Sequence, residues 1–185
     1  MRRFIILMTI TLGVAFSTGI CWAEDTLQKE LQQSMFNARQ AVLDNDFQRF
    51  LSSIDPINPK SKVTEEQWTQ LVGNELGRKV LLRGTPDLIN EAVYFSIKTK
   101  DDWAGYYAQT NLSDDNYQTV SVFLFRKGEN GWRPAGKSYG LTKAKPNSNA
   151  AKTGYPAWSS KEDMLSTIET DENFLMINLI SPKPE

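Results

Sequence analysis

The chain has 185 residues, with 21 Lys and Arg against 22 Asp and Glu, a net charge of −1, no histidine and one cysteine. So even a balance carries no basic field for nucleic acid. The missing histidine and lone Cys21 exclude His-based triads, Cys–His nucleophiles and zinc sites built on His or Cys, so any catalysis falls to carboxylates, Tyr, Lys or Ser. No phosphate-cradling glycine loop is present and no cofactor or metal is expected.

The chain opens "MRRFIILMTITLGVAFSTGICWAED". Two arginines, an apolar run from Phe4 to Phe16 and a small residue at Ala23 have the form of a secretory signal peptide, so 1–23 is expected to be removed. Ile20 before Cys21 is too large for a lipoprotein signal. The remainder, 24–185, would hold 19 basic and 22 acidic residues, a net −3. It contains no other apolar run near the roughly 20 residues of a membrane span. A periplasmic or secreted protein, without a membrane span after cleavage, is the expectation.

From Asp25 to Leu43 the apolar residues Leu27, Leu31, Met35, Ala38, Ala41 and Val42 recur at helical steps. "DNDF" breaks that helix, and Asp46 caps a second, short one carrying Phe47, Phe50, Leu51 and Ile54 until the prolines of "DPINPKSK" end it. At "VTEEQW", Thr64 and Gln67 are spaced as a capping box, with Val63 and Trp68 as a hydrophobic staple. This third helix is expected to run on through Leu71, Val72, Leu76 and Val80, weakened at Gly73 and Gly77.

The period then changes from 3.6 to 2. "NEAVYFSIKTK" predicts a strand with Val93, Phe95 and Ile97 on one face and Tyr94, Ser96 and Lys98 on the other. "DDWAGYYAQTNL", "NYQTVSVFLFRKG" and "GWRPAGKSYGLT" predict three more, joined by a turn at "SDDN" and an Asn-Gly hairpin at "ENGW". The fold class is therefore α+β, three helices followed by an antiparallel meander of four or more strands. This domain spans 24–142. Residues 143–160 have the composition of a linker or loop, and 161–185 form a helix–strand extension docked on the domain.

Two stretches, "ARQAVLDNDFQRFLSSIDP" and "FLFRKGENGWRPAG", resemble the first helix junction and the late hairpin of the NTF2-like (SnoaL-like, cystatin-like cone) superfamily. The resemblance covers about residues 25–142. It implies a cone whose helices cross the concave face of the sheet and leave a pocket at the wide end. Members include isomerases, dehydratases, binding proteins and dimeric scaffolds. The chain departs from the enzymatic branches, having no histidine and no Tyr in the first helix, so the resemblance transfers no catalytic residue.

Val120, Val122 and Leu124 face one way and Phe123 and Phe125 the other; Trp103 and Tyr107 likewise oppose Tyr106. A strand apolar on both sides is covered on both sides. The second cover is the C-terminal tail, a homodimer partner or a ligand. Trp68, Trp103, Tyr106 and Trp132 are pocket-lining types with polar handles, and the same residues would serve as core. Asp101 and Asp102, beside Trp103, are the carboxylates suited to acid–base work if apolar surroundings raise them, and solvated turn residues otherwise. "SDDN" lacks the spacing of a calcium loop. Asn111 opens a glycosylation sequon, relevant only in a eukaryotic secretory pathway. The functional expectation is a non-catalytic envelope module binding an apolar small molecule or a protein partner. The alternatives are a carboxylate-dependent lyase or isomerase at Asp101 or Asp102, and an accessory or inhibitor protein using the outer sheet face.

Overall fold

The computed structural model describes residues 24–110, 112–160, 162–164 and 166. The expected signal segment, the sequon at position 111 and the expected strand 173–180 lie outside the described residues.

Helix α1 covers 24–43, and its stripe of Leu31, Met35, Ala38, Ala41 and Val42 is buried. It ends where Asn45 turns left-handed at φ 57°. The Asp46 N–H then reaches the Ala41 carbonyl (2.9 Å) and the Asn45 N–H the Val42 carbonyl (3.4 Å). That is the paired-bond end of a Schellman motif, which asparagine tolerates better than most residues. Asp46 at once caps α2 (Phe47–Ser53), accepting from the Arg49 N–H at 2.9 Å. After α2, the Asp55 N–H (3.0 Å) and the Asn58 side chain (3.2 Å) both donate to the Pro134 carbonyl, tying this loop to the sheet.

A 3₁₀ turn (Pro59–Lys62) leads into α3 (Glu65–Gly73), where Thr64 and Gln67 form the expected capping box. The expected single third helix is instead two. Asn74 takes an extended conformation and accepts from the Leu76 N–H (2.8 Å), starting α4 (Glu75–Gly84) in a new direction. Asparagine competes for backbone donors in this way and caps a helix better than it continues one.

Gly77 is what lets α4 fold back on α3: a β-carbon there would lie 2.6 Å from the Leu71 carbonyl oxygen. Gly77→Ala is expected to lose stability, by about 1–3 kcal/mol for overpacking, although alanine favours a helix by about 1 kcal/mol. Urea unfolding checks this, and a raised midpoint would mean that the two helices separate freely.

The sheet follows as β1 (Val93–Lys100), β2 (Trp103–Thr110), β3 (Tyr117–Gly128) and β4 (Gly131–Ala144), an antiparallel meander in sequence order. The β3–β4 turn passes through Glu129 and Asn130, with Gly131 supplying the left-handed residue at φ 95°. Strict alternation fails in β1. The register shifts between Tyr94 and Ser96, leaving Phe95 unpaired. Tyr94 and Ile97 therefore share the helix side of the sheet, while Phe95 packs on the other. Two further shifts interrupt the β3–β4 pairing, and Gly136 sits beside one at φ 142°. Bulges of this kind bend a strand and increase its twist.

Among the described residues, three apolar clusters hold these layers together. Ala104, Tyr106, Ala108, Phe123 and Phe125 meet Leu31 and Met35 of α1. Phe50, Ile54, Trp68 and Leu81 pack the helices on one another. Tyr107, Val120, Val122 and Leu124 face the opposite way and meet Trp158 and Met164. The chain gets there through 145–158, expected as a linker but folded against the sheet. It contains α5 (Asn149–Lys152), and the Ala144 N–H bonds the Pro156 carbonyl (2.8 Å) while the Trp158 N–H bonds that of Ala144 (3.2 Å). Among the described residues no helix is long and apolar enough to cross a membrane.

Candidate functional site

A cleft of about 910 Å³ opens where α1 and α4 pass the end of the sheet. Arg39 comes from α1, and Lys79, Leu82 and Arg83 come from α4. Pro86, Asn90 and Glu91 come from the segment that follows, and Thr110, Leu112, Thr119 and Thr142 line the sheet side.

Its walls are fixed by local bonds. Arg39 donates to the Thr85 carbonyl (3.2 Å) and pairs with Glu91 (3.1 Å), its side chain only 17% exposed. Asp87 holds the segment carrying Asn90 and Glu91. Its Oδ1 accepts from the N–H groups of Ile89 (3.0 Å) and Asn90 (2.9 Å), and its Oδ2 from the Asn90 side chain (2.9 Å). Burial pushes the Asp87 carboxyl up, but those hydrogen bonds outweigh it and hold the group below the usual carboxylate range. On the sheet side the Thr110 and Ser121 hydroxyls lie 3.1 Å apart, and those of Thr119 and Thr142 2.9 Å apart.

The aromatic candidates are not gathered at this cleft. Trp68 is 2% exposed inside the helical cluster. Its ring lies against Phe47 and Phe50, and its indole N–H donates to Asn45 at 2.9 Å. Tyr106 is buried between α1 and the sheet, its hydroxyl accepting from Gln32 at 2.9 Å, and burial pushes its pKa up. Trp103 lies on the opposite sheet face under the Arg126 guanidinium. Trp132 packs beside the α1 cluster and lines a separate groove of about 790 Å³ with Lys29, Lys127 and Arg133. These four side chains lie in three separate packing environments, and strand alternation sends Trp103 and Tyr106 to opposite faces.

Asp101 and Asp102 form the two-residue turn between β1 and β2, Asp101 exposed and left-handed at φ 53°. Asp102 bonds Arg126 at 2.9 Å, and that hydrogen bond holds its carboxyl below the usual range. A general acid needs the opposite displacement. Asp114, in the "SDDN" turn, accepts from the N–H groups of Asn116 (2.8 Å) and Tyr117 (2.9 Å), which also lowers its pKa. Among the described residues no group of three or more Asp, Glu, His or Cys could hold a metal ion.

Arg39 and Arg83 carry no signal in the sequence that marks them as a pair. Each sits on a helix among other charges, and only the fold brings them, more than 40 residues apart in the chain, to the lining of one cleft. No protein-family model, no curated protein and no solved structure matches this chain.

Proposed function

We propose that the chain is an exported, non-catalytic binding module of the NTF2-like type, taking a small molecule into the cleft between α4 and the end of the sheet. The observation that carries this reading is the cleft itself, about 910 Å³, walled by side chains from α1, α4, the segment after α4 and the strands β2, β3 and β4. That volume lies in the range of small-molecule sites. The helices packed over one face of a bulged antiparallel sheet support the cone expectation. Export rests on the basic and apolar opening of the chain.

A binder is favoured over an enzyme by the carboxyl groups. Among the described residues those with displaced titration, Asp87, Asp102, Asp114 and Asp163, are all held low. The carboxylate in the cleft, Glu91, is engaged by Arg39. The outer-face partner reading loses its motive, since Trp158 and Met164 already cover that face.

The test is native mass spectrometry of the protein purified gently from its native envelope, beside a Leu82→Trp variant that fills the cleft. A retained small-molecule mass that disappears in the variant is the expected result. A mass retained by both proteins would move the site elsewhere, and a dimer without added mass would favour a subunit interface.

A further inference from the structure

We propose that the cleft's ligand is a compact organic anion, a carboxylate or a phosphate ester, whose charged head is held by Arg39 and Arg83; this rests on the cleft being the binding site. The charge on its walls departs from that of the chain. Overall, acidic residues outnumber basic ones, 22 to 21. Among the described residues lining the cleft, Arg39, Lys79 and Arg83 stand against one carboxylate, Glu91. Asp87, just behind the wall, also lies within electrostatic reach of Arg39, so Arg83 is the cation whose charge is left unbalanced. Clefts lined by one sign of charge focus the field and concentrate counter-ions.

The pairing of each cation shows which are available to a ligand. Lys79 is held by Glu75 at 2.6 Å. Arg39 uses one N–H on Thr85 and one on Glu91, leaving three of a guanidinium's five donors. Those two bonds fix the group in place beforehand, so little side-chain freedom is lost on binding. Arg83, on the solvent-exposed side of α4, has no ion pair among the described residues.

A planar guanidinium matches the paired oxygens of a carboxylate or phosphate better than an ammonium does. The Thr110–Ser121 pair keeps one hydroxyl proton that the bond between them does not use. Leu82, Pro86 and Leu112 supply apolar wall beside these donors. Such a wall suits an organic body attached to the head, more than a bare inorganic ion.

Amide NMR titration of the purified full chain tests this with three probes: phenyl phosphate, phenylacetate and the neutral 2-phenylethanol. Both anions are expected to shift amides around Leu82, Arg83, Asn90, Thr110 and Thr142. The alcohol should bind these sites at least about tenfold more weakly, because it forgoes the charge-assisted hydrogen bonds. Arg83→Gln should weaken anion binding about tenfold while leaving the rest of the spectrum in place, since one charge-assisted bond is lost. Lys62→Gln, an exposed cation outside the cleft, should change nothing.

Equal binding of all three probes at the cleft amides would overturn the anion assignment and leave the cleft as a site. Equal losses from Arg83→Gln and Lys62→Gln would mean general surface attraction and would also overturn it. Silence from all three probes refutes the proposal, while the bound-mass experiment judges the cleft separately.

Discussion

Trp68→Ala is expected to lower the unfolding free energy by about 3–5 kcal/mol, the range for removing a buried tryptophan from a core. The indole is 2% exposed and sits among Phe47, Phe50, Ile54 and Leu81, where α1, α2, α3 and α4 converge. No single element can move in to close the gap, because each is pinned separately. Asn45 is held in the Schellman turn and Thr64 in its capping box. The lost bond to Asn45 adds little, since that side chain is exposed and water can replace the indole. Guanidinium unfolding followed by circular dichroism measures the loss. Trp68→Phe keeps most of the volume and should lose clearly less. A change under about 1 kcal/mol for the alanine variant would mean the site had collapsed or was never close-packed. A ligand-contacting tryptophan would give the opposite pattern, with lost binding and little lost stability.

Trp158→Ala is expected to lose about 3–5 kcal/mol in the same measurement and to expose the second sheet face. Trp158 is 1% exposed and covers Tyr107, Val122 and Leu124. The Lys143 ammonium lies 4.1 Å from its ring centre, and that cation–π attraction disappears with the ring. With the indole gone, a strand apolar on both sides meets water, so increased binding of a hydrophobic dye should accompany the loss. Trp158→Phe separates packing from polarity. The indole N–H has no hydrogen-bond partner among the described residues, and an unsatisfied buried donor costs roughly 1–3 kcal/mol. Phenylalanine removes that donor along with some packing area, so its net effect should fall within about 1 kcal/mol of zero. A large loss for both variants would show that the N–H has a partner after all. A small loss for both would remove Trp158 from the core of this face.

What could be read along the chain was whatever depends on neighbours three or four residues away. The capping box at Thr64 and Gln67, the cap at Asp46 and the buried stripe of α1 all stand as their spacing predicts. So does the two-faced character of β3, whose residues divide between the helix side and the tail side. These features are legible because the atoms that make them belong to one turn of helix or one pleat of strand.

Where the fold departs from those expectations, the deciding interaction comes from far along the chain. Asn74 favours a cap locally, but nothing within one turn fixes where α4 then runs. The bonds joining α1 to α4 and to Thr85 just after it, through Arg78 and Arg39, accompany that direction. The bulge at Phe95 lets one β1 side chain join Tyr107 on the tail face, which no count of alternating residues reveals. The cleft is the extreme case. Arg39, Arg83, Glu91, Thr110 and Thr142 are unremarkable in five separate stretches, and only the helix directions and strand registers bring them to one wall. By itself the sequence determined the α+β class, most helix and strand identities and the two-sided sheet, because these follow from short-range periodicity. The tertiary structure alone decided which side chains share a cavity, because that depends on the angles between elements.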